Sequence, residues 1–291
     1  MANLKEIKTR IGGVQKTRQI TSAMKLVSGA KLARATGAAK AAQPYQEQLA
    51  GVLQRVGSAA GESVSNPLLQ SRESVKNVLL GVLTTDRGLC GGFNNNLLRQ
   101  VLNKAKEIKA AGATVHIIVF GRKGTDFLRG RKVALSDSII NYGKTERMDL
   151  VRPFAETAET GFVDGDYDEV WLAYNHFVNT ITQEPTFQQV LPLTVEASDD
   201  DSDGNTEFEY EPGAEKLLNS LLPLYLRTLI LQAFLETDAG EQAARMTAME
   251  NATRNASDLI AALTLEYNRA RQAAITTEII EIVSGAEALN G

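Results

Sequence analysis

The chain has 291 residues, with 31 Lys and Arg against 35 Asp and Glu, 43% hydrophobic residues and a single cysteine, Cys90. This composition excludes a disordered or collagen-like chain, and one cysteine excludes an internal disulfide, which fits a reducing compartment. The net charge of −4 conceals an asymmetry: residues 1–40 hold nine basic side chains and one acidic one, Glu6, whereas residues 153–215 hold sixteen acidic side chains and no Lys or Arg. Such a basic arm suits acidic partners, protein or nucleic acid. The run Asp199–Asp203 lacks the ligand spacing and glycine of an EF-hand loop and reads as a solvated loop.

The first ten residues carry Lys5, Glu6, Lys8 and Arg10 without an apolar segment, so no signal peptide is expected. From Asn3 to Ser58 good helix formers dominate, and Leu4, Ile7, Ile11 and Val14 step by three and four. After Arg18 and Thr21 the apolar stripe resumes at Ile20, Met24 and Val27, which predicts a shift of face. Small residues from Ala30 to Ala42 then offer a seam for close backbone approach, and Pro44 predicts a bend or restart.

In the middle of the chain, Val75–Thr84, Val115–Phe120 and Glu169–Tyr174 are short apolar runs that predict buried strands, and residues 95–111 predict a helix. Gln188–Val195 predicts an edge strand containing Pro192. Strands alternating with helices predict an α/β domain with a mostly parallel, doubly wound sheet. Two glycine turns follow strands, one with Gly88, Gly91 and Gly92 and one with Gly121 and Gly124. Neither fits a dinucleotide or P-loop fingerprint, so tight turns are the expectation. His116 and His176 have no carboxylate or thiol near them in sequence and read as structural. Cys90 sits on a loop where a nucleophile could stand, without a base at a telling spacing.

Leu217–Leu235 is the richest apolar stretch, interrupted by Pro223 and Arg227; a membrane-spanning segment is not expected, and any membrane association is expected to be peripheral. After Pro223 no proline follows. Met246, Met249, Thr253, Ala256, Ile260, Leu263, Tyr267, Ala270, Ala274 and Thr277 alternate steps of three and four, a heptad seam, and Ile275, Ile279, Ile282, Ala286 and Leu289 continue it in a second frame. Terminal helices of roughly 55 and 65 residues exceed what a globular domain holds and predict a coiled coil of the two chain ends, parallel or antiparallel.

Three segments in order resemble one family: Ile20–Val27 (ITSAMKLV), Thr85–Asn94 (TDRGLCGGFN), and Glu241–Met249 (EQAARMTAM) with Tyr267–Thr276 (YNRARQAAIT). The chain resembles the gamma subunit of the rotary F-type ATP synthase over its whole length, in a bacterial form without the plastid regulatory insert. The resemblance implies an antiparallel coiled coil of the N- and C-terminal helices (1–60 and 212–291) with a Rossmann-like α/β domain between them (72–200). It further implies a non-catalytic central shaft without cofactor or metal. Its partners would be the alpha and beta subunits of the catalytic hexamer, the epsilon subunit and the membrane c-ring, at the cytoplasmic face of the bacterial inner membrane. Met24, Arg245 and Gln272 fall where the family's shaft meets the beta subunits, Met24 and Arg245 close together. Lys31, Arg34, Phe208 and Tyr210 fall at the foot that meets the ring or epsilon. Two other readings compete: a nucleotide-dependent enzyme on the α/β domain, and a coiled-coil protein whose basic arm binds nucleic acid. Against the latter, residues 1–40 lack aromatic side chains for base stacking.

Overall fold

The computed structural model describes residues 4–60, 66–194, 210–211 and 213–290. In chain order the elements are α1 (Leu4–Ala60), β1 (Asn77–Leu83), α2 (Phe93–Ala110), β2 (Thr114–Phe120), α3 (Arg122–Arg129), β3 (Asp137–Ile139), α4 (Arg147–Asp164), β4 (Glu169–Phe177), β5 (Gln183–Leu191) and α5 (Ala214–Asn290). They form two compact units, one of Met1–Ser28 with Met246–Gly291 and one of Gly29–Arg245.

Helix α1 runs 57 residues and α5 runs 77, and both continue through a proline, Pro44 and Pro223. The restart expected as one alternative at Pro44 is thereby corrected. A proline inside a helix costs about 3 kcal/mol through the lost N–H bond and ring clash. Beyond Pro223 that cost is offset by burial, because Leu218 and Leu222 upstream and Leu226, Ile230, Ala233 and Phe234 downstream all enter one core. Helix α5 contains an 18-residue window of mean hydropathy 1.3, apolar and long enough by composition to cross a membrane, yet 44% of that window is buried inside the protein.

In the Gly29–Arg245 unit the sheet has the order β3-β2-β1-β4-β5. β1 lies parallel to β2 and β4, β2 parallel to β3, and β5 closes the edge antiparallel to β4. The chain winds outward through β1, β2 and β3, then crosses to the other side of β1 for β4, as a doubly wound sheet requires. Leu97, Leu98 and Val101 of α2 and Leu128 of α3 cover one face with Leu80, Val82, Ile117 and Val119. The other face, with Leu79, Leu83, Phe120 and Leu172, packs on α4, on Leu49, Leu53 and Val56 of α1, and on the first turns of α5.

The expected strands are present, and the edge strand comes earlier than expected, at Gln183–Leu191, with Pro185 within it and Pro192 just beyond it. Gly121, at φ +104°, makes the tight turn from β2 into α3, and Gly124 lies within the first turn of α3, where a Cβ would stand 2.5 Å from Thr84 Oγ1. The elements α3, β3 and α4 had no counterpart in the sequence reading. They are short or carry their apolar residues at irregular intervals.

In the terminal-helix unit α1 and α5 run antiparallel: Thr21 Oγ1 accepts from Thr253 Oγ1 at 2.7 Å, and Lys25 Nζ donates to Glu250 Oε1 at 2.9 Å. As residue numbers fall along α1 they rise along α5. Every seam residue from Met246 to Ala274 is buried or half-buried. Against it lie Leu4, Ile7, Ile11 and Val14, stepping by three and four, and then Thr21 and Ser28 at steps of seven, all buried or half-buried.

The seam therefore keeps one frame through polar Thr21 and Ser28. The expected shift of face is corrected, since Ile20 and Val27 are 60% and 56% exposed. The expected second frame is corrected too: Ile275, Ile279 and Ile282 are exposed, as is Thr277 at the end of the seam. By the antiparallel register Leu4, the first described residue of α1, faces the turn of α5 just before them. The side chain of Leu289 lies outside the described residues.

Candidate functional site

The TDRGLCGGFN segment folds on itself after β1. Asn94 Oδ1 accepts from Thr85 N at 3.1 Å, Asn94 Nδ2 donates to Thr85 Oγ1 at 2.8 Å and lies 3.3 Å from Cys90 Sγ, and Thr85 Oγ1 donates to Arg87 O at 2.6 Å. Asp86 Oδ1 accepts from the backbone of Arg122 and Asn141, which ties the loop to the starts of two neighbouring connections. Gly91 adopts φ +58°, and Leu89, at φ +62°, stands exposed at the tip. These bonds account for the residue types without any ligand.

Helix α5 fills the place where a doubly wound sheet holds its ligand, the crevice at the strand order's turning point between β1 and β4. Asn175 at the end of β4 is buried and donates to Phe93 O at 3.3 Å, and a Cβ on Gly240 of α5 would stand 2.8 Å from the Phe93 ring. A nucleotide there would have to displace α5, which argues against the enzyme reading on occupied space.

One stripe of α5 carries charges that grip this end of the unit. Asp238, Glu241 and Arg245 recur at helical spacing on one face. Arg147 donates from Nε and Nη2 to the two oxygens of Asp238 at 2.6 and 2.8 Å. Arg245, 7% exposed, donates to Glu241 Oε1 at 2.6 Å and reaches the carbonyls of Arg87 at 3.5 Å and Gly88 at 3.3 Å. Burial pushes the Glu241 carboxyl above its ordinary value, with Arg245 pulling the other way. On the solvent side of the terminal-helix unit the sign reverses, and the hydrogen bond and charge of Lys25 hold Glu250 below the usual carboxylate range.

Cys90 is buried and burial raises its thiol pKa, so at neutral pH it is a shielded, protonated thiol. Iodoacetamide is expected to label Cys90 in the folded chain far more slowly than in denaturant, followed by mass spectrometry. Equal rates would show that the thiol is accessible.

Of the residues singled out from the sequence, Arg245 is placed against the glycine loop, a contact invisible in one dimension because it spans about 157 residues. Met24 is half-buried on α1 and Gln272 is exposed on α5. Lys31 and Arg34 are exposed on α1, and Tyr210 packs on the larger core. Phe208 lies outside the described residues. His116 meets Tyr167 edge-on at 5.4 Å, and His176 Nδ1 lies 2.6 Å from Glu236 Oε2. Both oxygens of Glu236 are engaged, by His176 and Phe177 N and by Gln232 Nε2, so the pair braces β4 against α5. Sequence reasoning missed Arg147 and Asp238, whose 91-residue separation leaves no local signal.

A doubly wound α/β domain whose crevice is occupied by α5, in a chain whose two ends pair antiparallel, defines a class of long-helix architecture. The sequence matches the family model described as ATP synthase over residues 3–289. It is 46% identical to the ATP synthase gamma chain of Geobacter sp. (strain M21) over 291 residues, all of both chains. With that of Hyphomonas neptunium it shares 45% over 293 residues, 99% of this chain and all of the other. The chain belongs to the ATP synthase gamma chain family.

Among solved structures it is similar to a chain of the Tetrahymena thermophila mitochondrial ATP synthase central stalk and c-ring, with TM-score 0.61 and 27% identity, over 80% of this chain and 99% of that one. A chain of the Euglena gracilis mitochondrial enzyme, in rotational state 3, gives TM-score 0.67 at 19% identity over 98% and 94% of the two chains, a likeness of fold.

Proposed function

We propose that this chain is the central rotor shaft of an F-type ATP synthase, coupling ion-driven rotation of the membrane c-ring to the conformational cycle of the catalytic beta subunits. The observation that carries this reading is the antiparallel pairing of the chain ends through Thr21–Thr253 and Lys25–Glu250, in a member of the gamma chain family. Residues 1–60 and 212–291 are assigned to the shaft and 72–200 to the α/β domain. The chain itself is non-catalytic, and nucleotide chemistry belongs to the alpha and beta subunits. Together with epsilon it works as a peripheral component at the cytoplasmic face of the bacterial inner membrane.

A rotor changes its neighbours only by interacting unequally with their alternative states. Met24 and Gln272 are the side chains assigned to the beta contacts, and Arg245 serves there by fixing the carbonyls of the Arg87–Gly88 loop. Lys31, Arg34, Phe208 and Tyr210 are assigned to the ring and epsilon end. Met24→Lys adds a cation beside Lys25 in such a contact and is expected to lower protons pumped per ATP hydrolysed more than it lowers the yield of assembled complex. Wild-type coupling in that variant would remove Met24 from the contact.

The expected outcome of purification from the source cells is co-isolation with a catalytic hexamer whose ATP-driven rotation requires this chain. Equilibrium dialysis of the chain alone is expected to show no ATP binding. Tight nucleotide binding by the isolated chain would overturn the non-catalytic assignment, and isolation without any ATPase subunit would overturn the shaft.

A further inference from the structure

A shaft passes torque only through contacts that resist sliding as well as separation. Within the Gly29–Arg245 unit the apolar contacts of α5, such as Phe234 on Phe120 at 5.0 Å between ring centroids, resist separation. Hydrophobic burial is non-directional, so two buried faces can shift sideways at small cost while staying dry. A bidentate guanidinium–carboxylate pair is different, because two parallel N–H···O bonds fix both distance and angle.

Such a fork holds α5. Arg147 uses Nε and Nη2 for the two oxygens of Asp238, at 2.6 and 2.8 Å, and Nη1 for the carbonyls of Tyr142 and Thr145, at 3.2 and 3.0 Å. Its guanidinium also lies 5.2 Å from the centre of the Tyr142 ring. The Tyr142 hydroxyl in turn donates to the carbonyl of Thr84 at the end of β1. One side chain thus ties α5 to the start of α4, to the turn before it and, through Tyr142, to the central strand. The two partners are mostly shielded, at 18% and 23% side-chain exposure, which keeps the pair from being screened away. Helix α5 leaves this unit at Arg245, two turns further on.

We propose that Arg147 is a positioning residue of the rotor: with Asp238 it forms the shear key that transmits torque between the α/β domain and α5. This rests on the shaft reading above. A residue that served only stability would change the melting temperature and leave the angular stiffness of the assembled rotor alone.

The test uses the whole assembled complex, stalled with nucleotide, with an optical probe on the exposed surface of α3. Arg147→Met is expected to raise the angular variance of the probe by about twofold or more, since directional bonds are exchanged for sliding contact. It is also expected to lower the ratio of protons pumped to ATP hydrolysed while hydrolysis itself persists. Arg147→Lys keeps the charge and loses the fork, and is expected to raise the variance as well; it provides the same reading should the Met variant fail to assemble. Unchanged variance and unchanged coupling in an assembled variant overturn the proposal. If the wild-type domain does not turn during ATP hydrolysis, the shaft reading fails instead, and the two failures are distinct.

Discussion

Replacing Leu263 by aspartate is expected to unravel the pairing of the two chain ends. Leu263 is 4% exposed and stands two heptads beyond Met249 in the seam, with Ala256 between them, all three buried. A carboxylate there has no cation facing it from the seam positions of α1, which are Leu4, Ile7, Ile11, Val14, Thr21 and Ser28. Burying an unpaired charge and removing a leucine together cost on the order of 4 kcal/mol, enough to open a two-helix unit held by that seam.

The control is two residues away. Leu265 is 54% exposed, so Leu265→Asp is expected to change stability by less than about 0.5 kcal/mol. Hydrogen exchange of amides in residues 4–28, measured on the full-length chain, would register the loss of protection in the first variant and not the second. Equal protection in both variants would contradict the seam.

The second large effect is expected from Phe234→Ala, which empties the junction between α5 and the sheet. Phe234 is 1% exposed and meets Phe120 at 5.0 Å and 86°, and Tyr142 at 6.2 Å and 85°. The loss combines burial with edge-on ring contacts, for a cost of about 4 kcal/mol. Phe234→Leu retains most of the volume and is expected to cost about 1.5 kcal/mol or less. Urea unfolding of the full chain, followed by fluorescence of its one tryptophan, Trp171 in β4, reads both midpoints. Similar midpoints for wild type and Phe234→Ala would mean that α5 holds to the sheet without this cluster.

Much of this architecture is legible in one dimension, for reasons specific to each element. The seam from Met246 to Ala274 is legible because a helix packed along one side must repeat its small and apolar residues every three or four positions, and it does so over four heptads. Strands β1 and β2 are legible because they are buried on both faces and so become continuous apolar runs. Helix α1 is harder. Ile20, Met24 and Val27 look like a buried stripe by hydropathy alone, yet Ile20 and Val27 are exposed and the positions that are buried are Thr21 and Ser28. Thr21 receives the Thr253 hydroxyl and itself reaches Arg18 O at 3.1 Å. A polar residue can occupy a seam when its partner is on the facing helix, and that partner is 232 residues distant in sequence.

The candidate site was legible in its loop and hidden in its clamp. Three glycines, a threonine and an asparagine within ten residues announce a tight turn that bonds to itself, and the loop does so. Nothing near Arg147 in the sequence announces Asp238, and nothing near Arg87 announces Arg245, because their meeting depends on how α5 crosses the end of the sheet.

By itself the sequence determined the presence of two long terminal helices, the doubly wound strand pattern between them, the family, and the charge polarity of its segments. All of these follow from periodicity, composition and contiguous motifs, which are properties of neighbours along the chain. Only the tertiary structure decided that the ends pair antiparallel with Thr21 opposite Thr253, that α5 occupies the crevice a ligand would need, and that Arg147 and Arg245 fasten α5 to the loops beside β1. Those are contacts between residues far apart in the chain, and their geometry is fixed by packing rather than by local preference.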